Sequence, residues 1–561
     1  MKLFSVQSLR QSRYPLAVAA GLLLAAAFPT IGIAGFAWIA PGLMLAAAMG
    51  RRGGESFRLG WAAGVAYYLL LLHWLLFIPV TGFPILGWVA LSAYLALFPA
   101  AWVWLASRIS NFKFQISDSP AAENSWLAAA GEISAWSWSR RVSWTISCAA
   151  IWVAQEMIVG RLWGGFPWNL LGGSQYRIVP LIQMARVTGV YGLSFLVAWT
   201  SVSLLCAVSV ILHRPKLRSV WMGEIILPFT AVAAAFGFGF HRLWQAPAAG
   251  RELRVALVQP SIPQTLIWDP EKSTERFQDL IRLSEQALTQ PADLLVWPEA
   301  AIPKLLRYDE ATFQAVTNLA SQHHVWMIVG SDDAEPSKHS SDPKDDEYYN
   351  SSFLVSPEGR LVAGYRKRNL VIFGEYIPLV RWLPFIKWFT PIQGSFTPGD
   401  RAVPFELAGR DEPSRDSPRQ TTKISVLICY EDTFAPLARE DVDADTDFLV
   451  NITNDGWFGE GAAQWQHATT ALFRTVEEDV PLIRCTNTGL TGWYDACGRL
   501  REFFKDGKGT IYGAGFMTVR IPLLGPGERR SPTFYHLHGD WFGWGCVGFT
   551  ALTLIRRKLQ R

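Results

Sequence analysis

The segment Ile424-Ser-Val-Leu-Ile-Cys429 decides the fold of the central part of the chain. Apart from Ser425, every residue in it is apolar, so a strand formed here is buried on both of its faces. Such a run is typical of a sheet that is covered by helices or by another sheet. The segment therefore predicts an α/β layered domain.

Around this segment, from Leu253 onward, short apolar runs alternate with amphipathic stretches. The predicted strands are Arg254–Gln259, Leu294–Trp297, Trp326–Gly330, Ser352–Val355, Ile424–Cys429, Phe448–Ile452 and Leu482–Thr486. The predicted helices, with apolar positions near a 3.6-residue period, are Lys272–Thr289, Ala311–His323 and Gln466–Glu478. Two polar stretches, Asp332–Glu347 and Gly409–Thr422, are predicted to be surface loops.

The composition of the whole chain is that of a membrane protein. Half of its 561 residues are hydrophobic, 26 are Trp, and only 17% are charged. A helix needs about 20 apolar residues to cross a bilayer. Eight candidate spans follow, at Pro15–Phe28, Gly35–Ala48, Leu59–Phe77, Leu86–Leu105, Trp144–Val159, Val190–Leu212, Met222–Phe240 and Trp541–Ile555. The predicted domains are thus 1–242 with seven spans, an α/β domain at 250–535, and a last span with its tail at 539–561.

The distribution of Lys and Arg predicts the orientation of these spans. If the N-terminus is cytoplasmic, 17 Lys and Arg residues lie in the cytoplasmic segments, whereas the short outer loops hold only Arg161, Arg177 and Arg186. This asymmetry predicts that the α/β domain lies outside the cytoplasm. In one outer loop, the aromatic and Gly-rich segment Gly164–Tyr176 has two open interpretations, an interfacial turn or a surface segment that lines a lipid pocket.

Other classes of function find little support. The net charge is only +4, and no dense Lys/Arg run suggests nucleic acid. The six cysteines form neither a disulfide framework nor a metal-binding spacing, although a Cys485–Cys497 disulfide stays open. No Gly-rich nucleotide motif is present. The sequence therefore predicts no metal and no cofactor.

Three polar residues lie at or near the ends of predicted strands. They are Glu299, Lys367 and Cys429. Taken singly, each has a structural explanation: a carboxylate at a helix start, a solvated lysine and a small buried apolar side chain. Together they supply what acyl transfer needs, since a thiolate attacks, a carboxylate moves the proton and an ammonium stabilises an oxyanion.

These residues occur in the order Glu, Lys, Cys, in the segments Pro298-Glu299, Tyr365-Arg-Lys-Arg and Cys429-Tyr-Glu431, which resembles the nitrilase superfamily. The chain further contains Gly165-Phe-Pro-Trp168, Phe373-Gly-Glu-Tyr-Ile-Pro378 and Asn487-Thr-Gly489. With these motifs and the membrane spans, it resembles the apolipoprotein N-acyltransferase family over nearly its whole length.

This resemblance implies an α-β-β-α sandwich beside a polytopic helical membrane domain. It also implies roles for single residues, with Glu299 as general base, Lys367 as oxyanion-stabilising lysine and Cys429 as nucleophile. Four further residues are implied to support the site or bind substrate: Glu375, Tyr430, Glu431 and Trp268.

The substrates implied by the resemblance are both lipids. A glycerophospholipid donates its acyl chain through a Cys429 thioester, and the α-amine of a diacylglyceryl-cysteine at an apolipoprotein N-terminus accepts it. The implied enzyme is a monomer of the bacterial inner membrane with its catalytic domain in the periplasm. It needs no cofactor, and it binds no nucleic acid.

Two alternatives stay open at the level of sequence. The first is a membrane-tethered nitrilase-type amidase, in which water resolves the acyl-enzyme. Eight spans exceed what a membrane anchor requires. The second is a transporter or sensor, for which ionisable residues within the spans are expected. His73 and Glu156 lie within or near predicted spans.

Overall fold

The structure is a computed structural model that describes residues 13–51, 53–79, 84–110, 126–216, 218–245, 251–267, 269–337, 346–378, 382, 395–408 and 421–559. The chain divides into two compact units. The first unit comprises Met1–Leu76, Pro84–Trp244 and Asp540–Arg561, and the second comprises Phe77–Phe83 and Gln245–Gly539.

The first unit is helical. Its α-helices are Tyr14–Ala26, Ala40–Ala48, Gly54–Leu71, Pro84–Leu95, Leu97–Ser110, Trp126–Ala135, Trp138–Val159, Val179–Ile182, Ala185–Thr188, Val190–His213, Arg218–Trp244 and Trp541–Leu559. Leu, Val, Ala, Phe and Trp side chains occupy most positions of the long helices, and many of these side chains face outward. An outward apolar surface of this kind suits a lipid environment rather than water.

The prediction of eight spans is supported for part of the chain. Among the described residues, four helices are long and apolar enough to cross a membrane by length and composition, namely Pro84–Ser110, Trp138–Val159, Val190–His213 and Ser219–Trp244. The apolar helices Tyr14–Ala26 and Ala34–Ala48 are shorter. Four candidate spans are thus established, and the count of eight stays a prediction.

A short 3₁₀ turn, Leu162–Gly164, leads into the Gly164–Tyr176 segment, and a second one, Leu171–Gln175, lies within it. Hydrogen bonds fasten it to the long helices around it. The Leu171 amide donates to Glu156 Oε1 at 2.7 Å, and the Gly172 amide donates to Ser194 Oγ at 2.8 Å. The Glu156 carboxylate is buried, so this ionisable residue of a candidate span has a structural task.

The second unit contains two six-stranded sheets. Their strands are β1 Arg251–Gln259, β2 Leu294–Val296, β3 Trp326–Glu335, β4 Glu347–Val355, β5 Leu361–Arg366, β6 Phe405–Ala408, β7 Thr421–Ile428, β8 Phe448–Thr453, β9 Leu482–Thr486, β10 Gly492–Tyr494, β11 Leu500–Phe503 and β12 Gly515–Leu523. The first sheet has the order β12-β1-β2-β3-β4-β5, and the second has the order β11-β10-β9-β8-β7-β6. Strands β1 to β3 are parallel to one another, as are β7 to β9.

The alternation of side chains along the strands builds the layers. In β1 and β7, Val255, Leu257, Val426 and Ile428 belong to one core between the two sheets. The side chains on the opposite faces pack against helices. The helices of this unit are Ser273–Ala287, Glu310–His323, Ala435–Asp441, Ala462–Glu478 and Phe534–His538. The unit is therefore an α-β-β-α sandwich, as the resemblance implied.

Each of the seven predicted strands coincides with an observed one, and each of the three predicted helices with an observed helix. The prediction of a surface loop over Asp332–Glu347 is wrong at both ends. Antiparallel pairing carries β3 on to Glu335 and starts β4 at Glu347, because facing strands satisfy each other's backbone groups whatever their polarity. Of the other predicted loop, 409–420 lies outside the described residues, and the last two residues belong to β7.

Candidate active site

Three predicted site residues follow strands at the edge where the carboxyl ends of the parallel strands lie. Glu299 comes three residues after β2, Lys367 directly after β5, and Cys429 directly after β7. Gly330 allows the Glu299 segment to approach β3 closely, since a Cβ atom at this position would lie 2.2 Å from the Pro298 carbonyl oxygen. The sequence-based placement of these residues at strand ends is therefore confirmed.

Glu299, Lys367 and Glu375 form a buried ionic cluster. Lys367 Nζ donates to Glu375 Oε1 at 2.7 Å and to Glu299 Oε1 at 3.3 Å. Burial lowers the pKa of the Lys367 ammonium, but the charges of Glu375 and Glu299 outweigh burial and hold this pKa well above its usual value. Lys367 therefore carries a fixed positive charge inside the unit.

Asn350 joins the same cluster from β4. Its Nδ2 group donates to Glu299 Oε1 at 2.7 Å and to Glu375 Oε1 at 2.9 Å. The second oxygen of Glu299, Oε2, accepts a hydrogen bond from the backbone N–H of Asn454 at 2.9 Å. Glu299 is thus held by three donors, so the position of its carboxylate is determined before any substrate binds.

Cys429 lies beside this cluster in a strained backbone conformation. Its φ of 53° places it in the left-handed region, which a residue with a Cβ atom occupies at a cost of about 1–3 kcal/mol. Burial and the charge of Glu299 raise the pKa of the Cys429 thiol well above its usual value, against the smaller effect of Lys367. The thiol is therefore protonated at rest, and a base must remove its proton when it reacts.

Glu431 ties the cysteine turn to the lysine segment. Its Oε2 atom accepts hydrogen bonds from the Ile428 amide at 2.8 Å and the Tyr365 hydroxyl at 2.9 Å. Its Oε1 atom accepts from the amides of Arg368 and Asn369 at 2.7 and 3.1 Å. Because it fastens the residue before Cys429 to the residues after Lys367, it fixes the distance between the two segments.

Two other predicted residues are less informative. The Tyr430 ring packs edge to face on Phe434, with ring centroids 5.1 Å apart. Trp268 lies outside the described residues.

A second buried cluster lies behind the Cys429 turn. His467 hydrogen-bonds Asp432 through Nε2 at 2.9 Å and Asp455 through Nδ1 at 2.8 Å. Arg484 pairs with Asp432, and its Nη2 atom lies 3.4 Å from Asp455 Oδ2. Burial lowers the pKa of His467, but the two aspartates prevail and raise it to about 9. The Cys429 turn thus rests on a paired set of charges.

The described residues contain no group of three or more His, Cys, Asp and Glu side chains that could hold a metal ion. None of the six cysteines is joined to another in a disulfide, so the Cys485–Cys497 bond left open by the sequence is not present in this structure. Instead, the Cys485 thiol lies between the sheets, 3.4 Å from the Val258 carbonyl oxygen and 3.3 Å from that of Val296.

The sequence analysis missed Asn350 and the second cluster. The predicted fourth strand starts at Ser352, two residues after Asn350, so the alternation that turns Asn350 toward Glu299 was not visible. Asp432 directly follows the quoted Cys429-Tyr-Glu segment and is the one member that proximity in sequence could have suggested. The other three are brought together only by the fold.

The comparisons with known proteins cover both units. A family model described as carbon-nitrogen hydrolase matches residues 254–516, and one described as apolipoprotein N-acyltransferase N-terminal domain matches residues 20–203. The apolipoprotein N-acyltransferase of Geobacter metallireducens is 35% identical, over 97% of this chain and 96% of its own length. That of Azotobacter vinelandii is 30% identical, over 90% of this chain and 87% of its own length.

Solved structures match the chain over about half its length. An amidase from Nesterenkonia sp. is 16% identical with a TM-score of 0.34, covering 49% of this chain and 92% of that chain. A nitrilase-superfamily member from Saccharomyces cerevisiae is 19% identical with a TM-score of 0.35, also covering 49% of this chain and 92% of that chain.

Proposed function

The chain belongs to the apolipoprotein N-acyltransferase family, and from this premise we propose that it transfers a fatty acyl chain from a membrane glycerophospholipid to the α-amine of a diacylglyceryl-cysteine, through a thioester on Cys429. That the chain is an acyltransferase follows from its family. The donor, the thioester and the roles of single residues are what we propose.

One observation carries the assignment of the site. A protonated thiol, a carboxylate held by three donors and a buried ammonium meet where the strands end. A thiol with a raised pKa is a poor nucleophile unless a base takes its proton. We assign Glu299 as this base. Its carboxylate is near enough to the Cys429 thiol for its charge to raise the pKa of that thiol.

In the first half-reaction, Cys429 Sγ attacks the ester carbonyl carbon of the phospholipid while Glu299 takes the thiol proton. The oxygen of the tetrahedral intermediate gains a negative charge, which the Lys367 ammonium stabilises. The C–O bond of the ester then breaks, the lysophospholipid oxygen takes the proton from Glu299, and a thioester remains on Cys429.

In the second half-reaction, the α-amine of the acceptor attacks the thioester carbon. Lys367 again stabilises the oxyanion, and Glu299 takes a proton from the attacking nitrogen. As the C–S bond breaks, Glu299 passes this proton to the Cys429 sulfur, which leaves an amide and the free thiol. This two-step scheme is a ping-pong mechanism. Glu375 keeps Lys367 charged and in place, and Glu431 fixes the spacing between the Lys367 and Cys429 segments.

The location of the enzyme is part of the proposal. Four candidate spans fit the bacterial membrane, where members of this family work. The Lys and Arg asymmetry supports eight spans, a periplasmic catalytic domain and the domain bounds 1–242, 250–535 and 539–561. Both substrates are lipids, so a membrane-embedded enzyme meets them within the bilayer surface. We propose that it acts as a monomer.

Mass spectrometry of the intact protein tests the thioester. Wild-type protein purified from membranes is expected to carry a fatty-acyl mass on the peptide that contains Cys429, and hydroxylamine should remove it. Cys429→Ala should carry no such mass and should not N-acylate a diacylglyceryl lipopeptide. Cys497→Ala, which removes another cysteine of the same unit, is the matched control and should behave as wild type.

Two results would contradict the proposal. One is N-acylation of the lipopeptide by Cys429→Ala. The other is a wild-type enzyme that hydrolyses a soluble amide but leaves phospholipid intact, which would favour the amidase instead.

A further inference from the structure

A third carboxylate, that of Asp332, shares the interior face of the first sheet with the active site. Side chains alternate along β3, and Ile328 belongs to the core between the sheets. Asp332 is four residues further along the strand, so it lies on the same face, toward the second sheet. The side chain is partly exposed, whereas Ile328 is fully buried.

The register of the strands places Asp332 next to the ionic cluster. Asp332 is paired with Asn350 between β3 and β4, and side chains that face each other across antiparallel strands lie about 4.5–5.5 Å apart at Cβ. Asn350 in turn donates to both Glu299 and Glu375. Asp332 is therefore the neighbour of Asn350, which in turn contacts the proposed general base, Glu299.

The charges at this place are unequal. The carboxylates of Glu299 and Glu375 pair with the Lys367 ammonium, and the Asp332 carboxylate lies near enough to both glutamates to feel their charge. Within the described part of the chain, no residue donates a hydrogen bond to the Asp332 carboxylate. Its neighbour Asp333, on the opposite face, is paired with two arginines.

Burial, followed by the charges of Glu299, Glu375 and Asp333, raises the pKa of Asp332 to about 7. A carboxyl group whose pKa lies near the working pH can both hold and release a proton there, which suits proton transfer with a substrate. The site thus has a surplus of negative charge and an accessible group that can bind a cation and take a proton from it.

The acceptor substrate has such a cation. An α-amine is largely protonated at neutral pH, and an ammonium ion has no lone pair with which to attack a thioester. We infer that Asp332 binds the α-ammonium group of the acceptor and takes one proton from it before the amine attacks. This inference rests on the proposed function and adds the residue that recognises the amine.

The protons balance over the second half-reaction. The acceptor ammonium loses one proton to Asp332, and the resulting amine forms the new N–C bond with the thioester carbon. As the C–S bond breaks, the nitrogen loses its second proton through Glu299, which passes it to the Cys429 sulfur. Asp332 releases its proton to solvent, so the enzyme returns to its starting state and the product is an amide.

The test separates the two half-reactions in full-length enzyme in detergent micelles. Asp332→Asn is loaded with an acyl chain from phospholipid, and loss of the acyl mass is then followed with either of two nucleophiles. A diacylglyceryl lipopeptide offers a charged amine, whereas hydroxylamine is neutral at neutral pH. We expect acyl-enzyme formation and hydroxylamine cleavage within about two-fold of wild type, and transfer to the lipopeptide slowed about 10²-fold.

Two further variants sharpen the test. Asp332→Glu keeps a carboxylate and should restore part of the transfer. Glu335→Gln removes a carboxylate from the opposite face of β3 and should transfer at the wild-type rate.

Lipopeptide transfer by Asp332→Asn at the wild-type rate, or an equal loss with both nucleophiles, would overturn the inference while leaving the proposed function standing. If the wild-type enzyme forms no acyl-enzyme at all, the proposed function fails, and this inference fails with it.

Discussion

The second unit holds two buried ionic clusters that are built from similar groups but differ in balance and access. In one, Asp432 and Asp455 face His467 and Arg484, so each of the four carboxylate oxygens meets a cationic side chain. In the other, Glu299 and Glu375 direct one oxygen each at the same ammonium, and a third carboxylate stands nearby with a partly exposed side chain. The first cluster is closed, and the second opens toward Cys429.

The difference shows how burial serves two ends. Burying charges costs several kcal/mol per ion unless each is paired, so a balanced cluster stabilises a turn but has nothing left to offer a substrate. An unbalanced cluster keeps groups that can still interact with a substrate. Here an ammonium can stabilise an oxyanion, one carboxylate can take a thiol proton, and another carboxylate can bind a cation. The predictions below test whether the two clusters divide their tasks in this way.

The largest effect is expected at the one cation of the open cluster. Lys367→Met removes the ammonium and leaves Glu299 and Glu375 facing each other inside the protein. We expect acyl-enzyme formation to fall about 10³-fold, since the developing oxyanion loses its electrostatic partner. The free energy of unfolding should also fall, by about 3–5 kcal/mol, because two buried carboxylates lose their counter-charge.

Intact-protein mass spectrometry measures the rate of acylation, and thermal unfolding measures the stability. Lys304→Met removes an exposed lysine of the same unit and should leave both unchanged. Acylation of Lys367→Met at more than a tenth of the wild-type rate would show that the ammonium is not the oxyanion partner.

The closed cluster should affect how the stability of the protein depends on pH, rather than the rate of acyl transfer. The folded-state pKa of His467 is about 9, above the ordinary value of 6.5. The protonated form is therefore favoured by folding. The stability that it contributes is complete below about pH 6.5, declines as pH rises, and is lost once pH passes about 9. A shift of this size corresponds to about 3 kcal/mol.

His467→Gln isolates this contribution. Its stability should lie below that of wild type at pH 6, and the two proteins should converge by pH 10 when unfolding is followed by Trp fluorescence. His323→Gln, at a half-buried histidine paired with Glu285, should track wild type throughout. A wild-type advantage over His467→Gln that stays constant from pH 6 to pH 10 would show that His467 is neutral in the folded protein.

The sequence predicts the open cluster better than the closed one, and the reason is physical. Glu299 and Cys429 follow predicted strands, and the site of a layered α/β domain tends to lie where parallel strands end, so the strand prediction already points to them. Lys367 follows β5, which was not predicted, and its role came from the resemblance. His467 and Arg484 lie on a helix and a strand whose patterns indicate only burial. A buried charge at such a position is recognisable only when its partner is known, and the partners come from distant segments.

Burial and strand pairing account for three of the five strands that were missed, namely β5, β11 and β12. Strands β5 and β11 have mostly exposed or half-buried residues, so they lack the apolar run that marks β7. Strand β12 pairs with β1 along nine residues at the edge of the sheet, where backbone pairing rather than apolar burial decides the structure. The α-β-β-α layering itself came from the resemblance, since the apolar run of β7 is equally compatible with cover by helices or by a second sheet.

The smallest effect is expected at Asn350, the member of the open cluster that carries no charge. Asn350→Ala removes one of the three donors that hold Glu299 and leaves Lys367 and Glu375 in place. A hydrogen bond from an uncharged amide to a carboxylate is worth about 1.5–3 kcal/mol, and the lower figure corresponds to a rate of acylation about 10-fold lower. The loss should appear in the chemical step, with the KM for phospholipid unchanged, because Asn350 orients the base and does not bind the lipid. Ser352→Ala is the matched control. Ser352 lies two residues further along the same face of β4, and its buried hydroxyl has no hydrogen-bond partner among the residues that the structure describes. If both variants acylate at the wild-type rate, the remaining two donors suffice to hold Glu299, and the open cluster is as firmly built as the closed one.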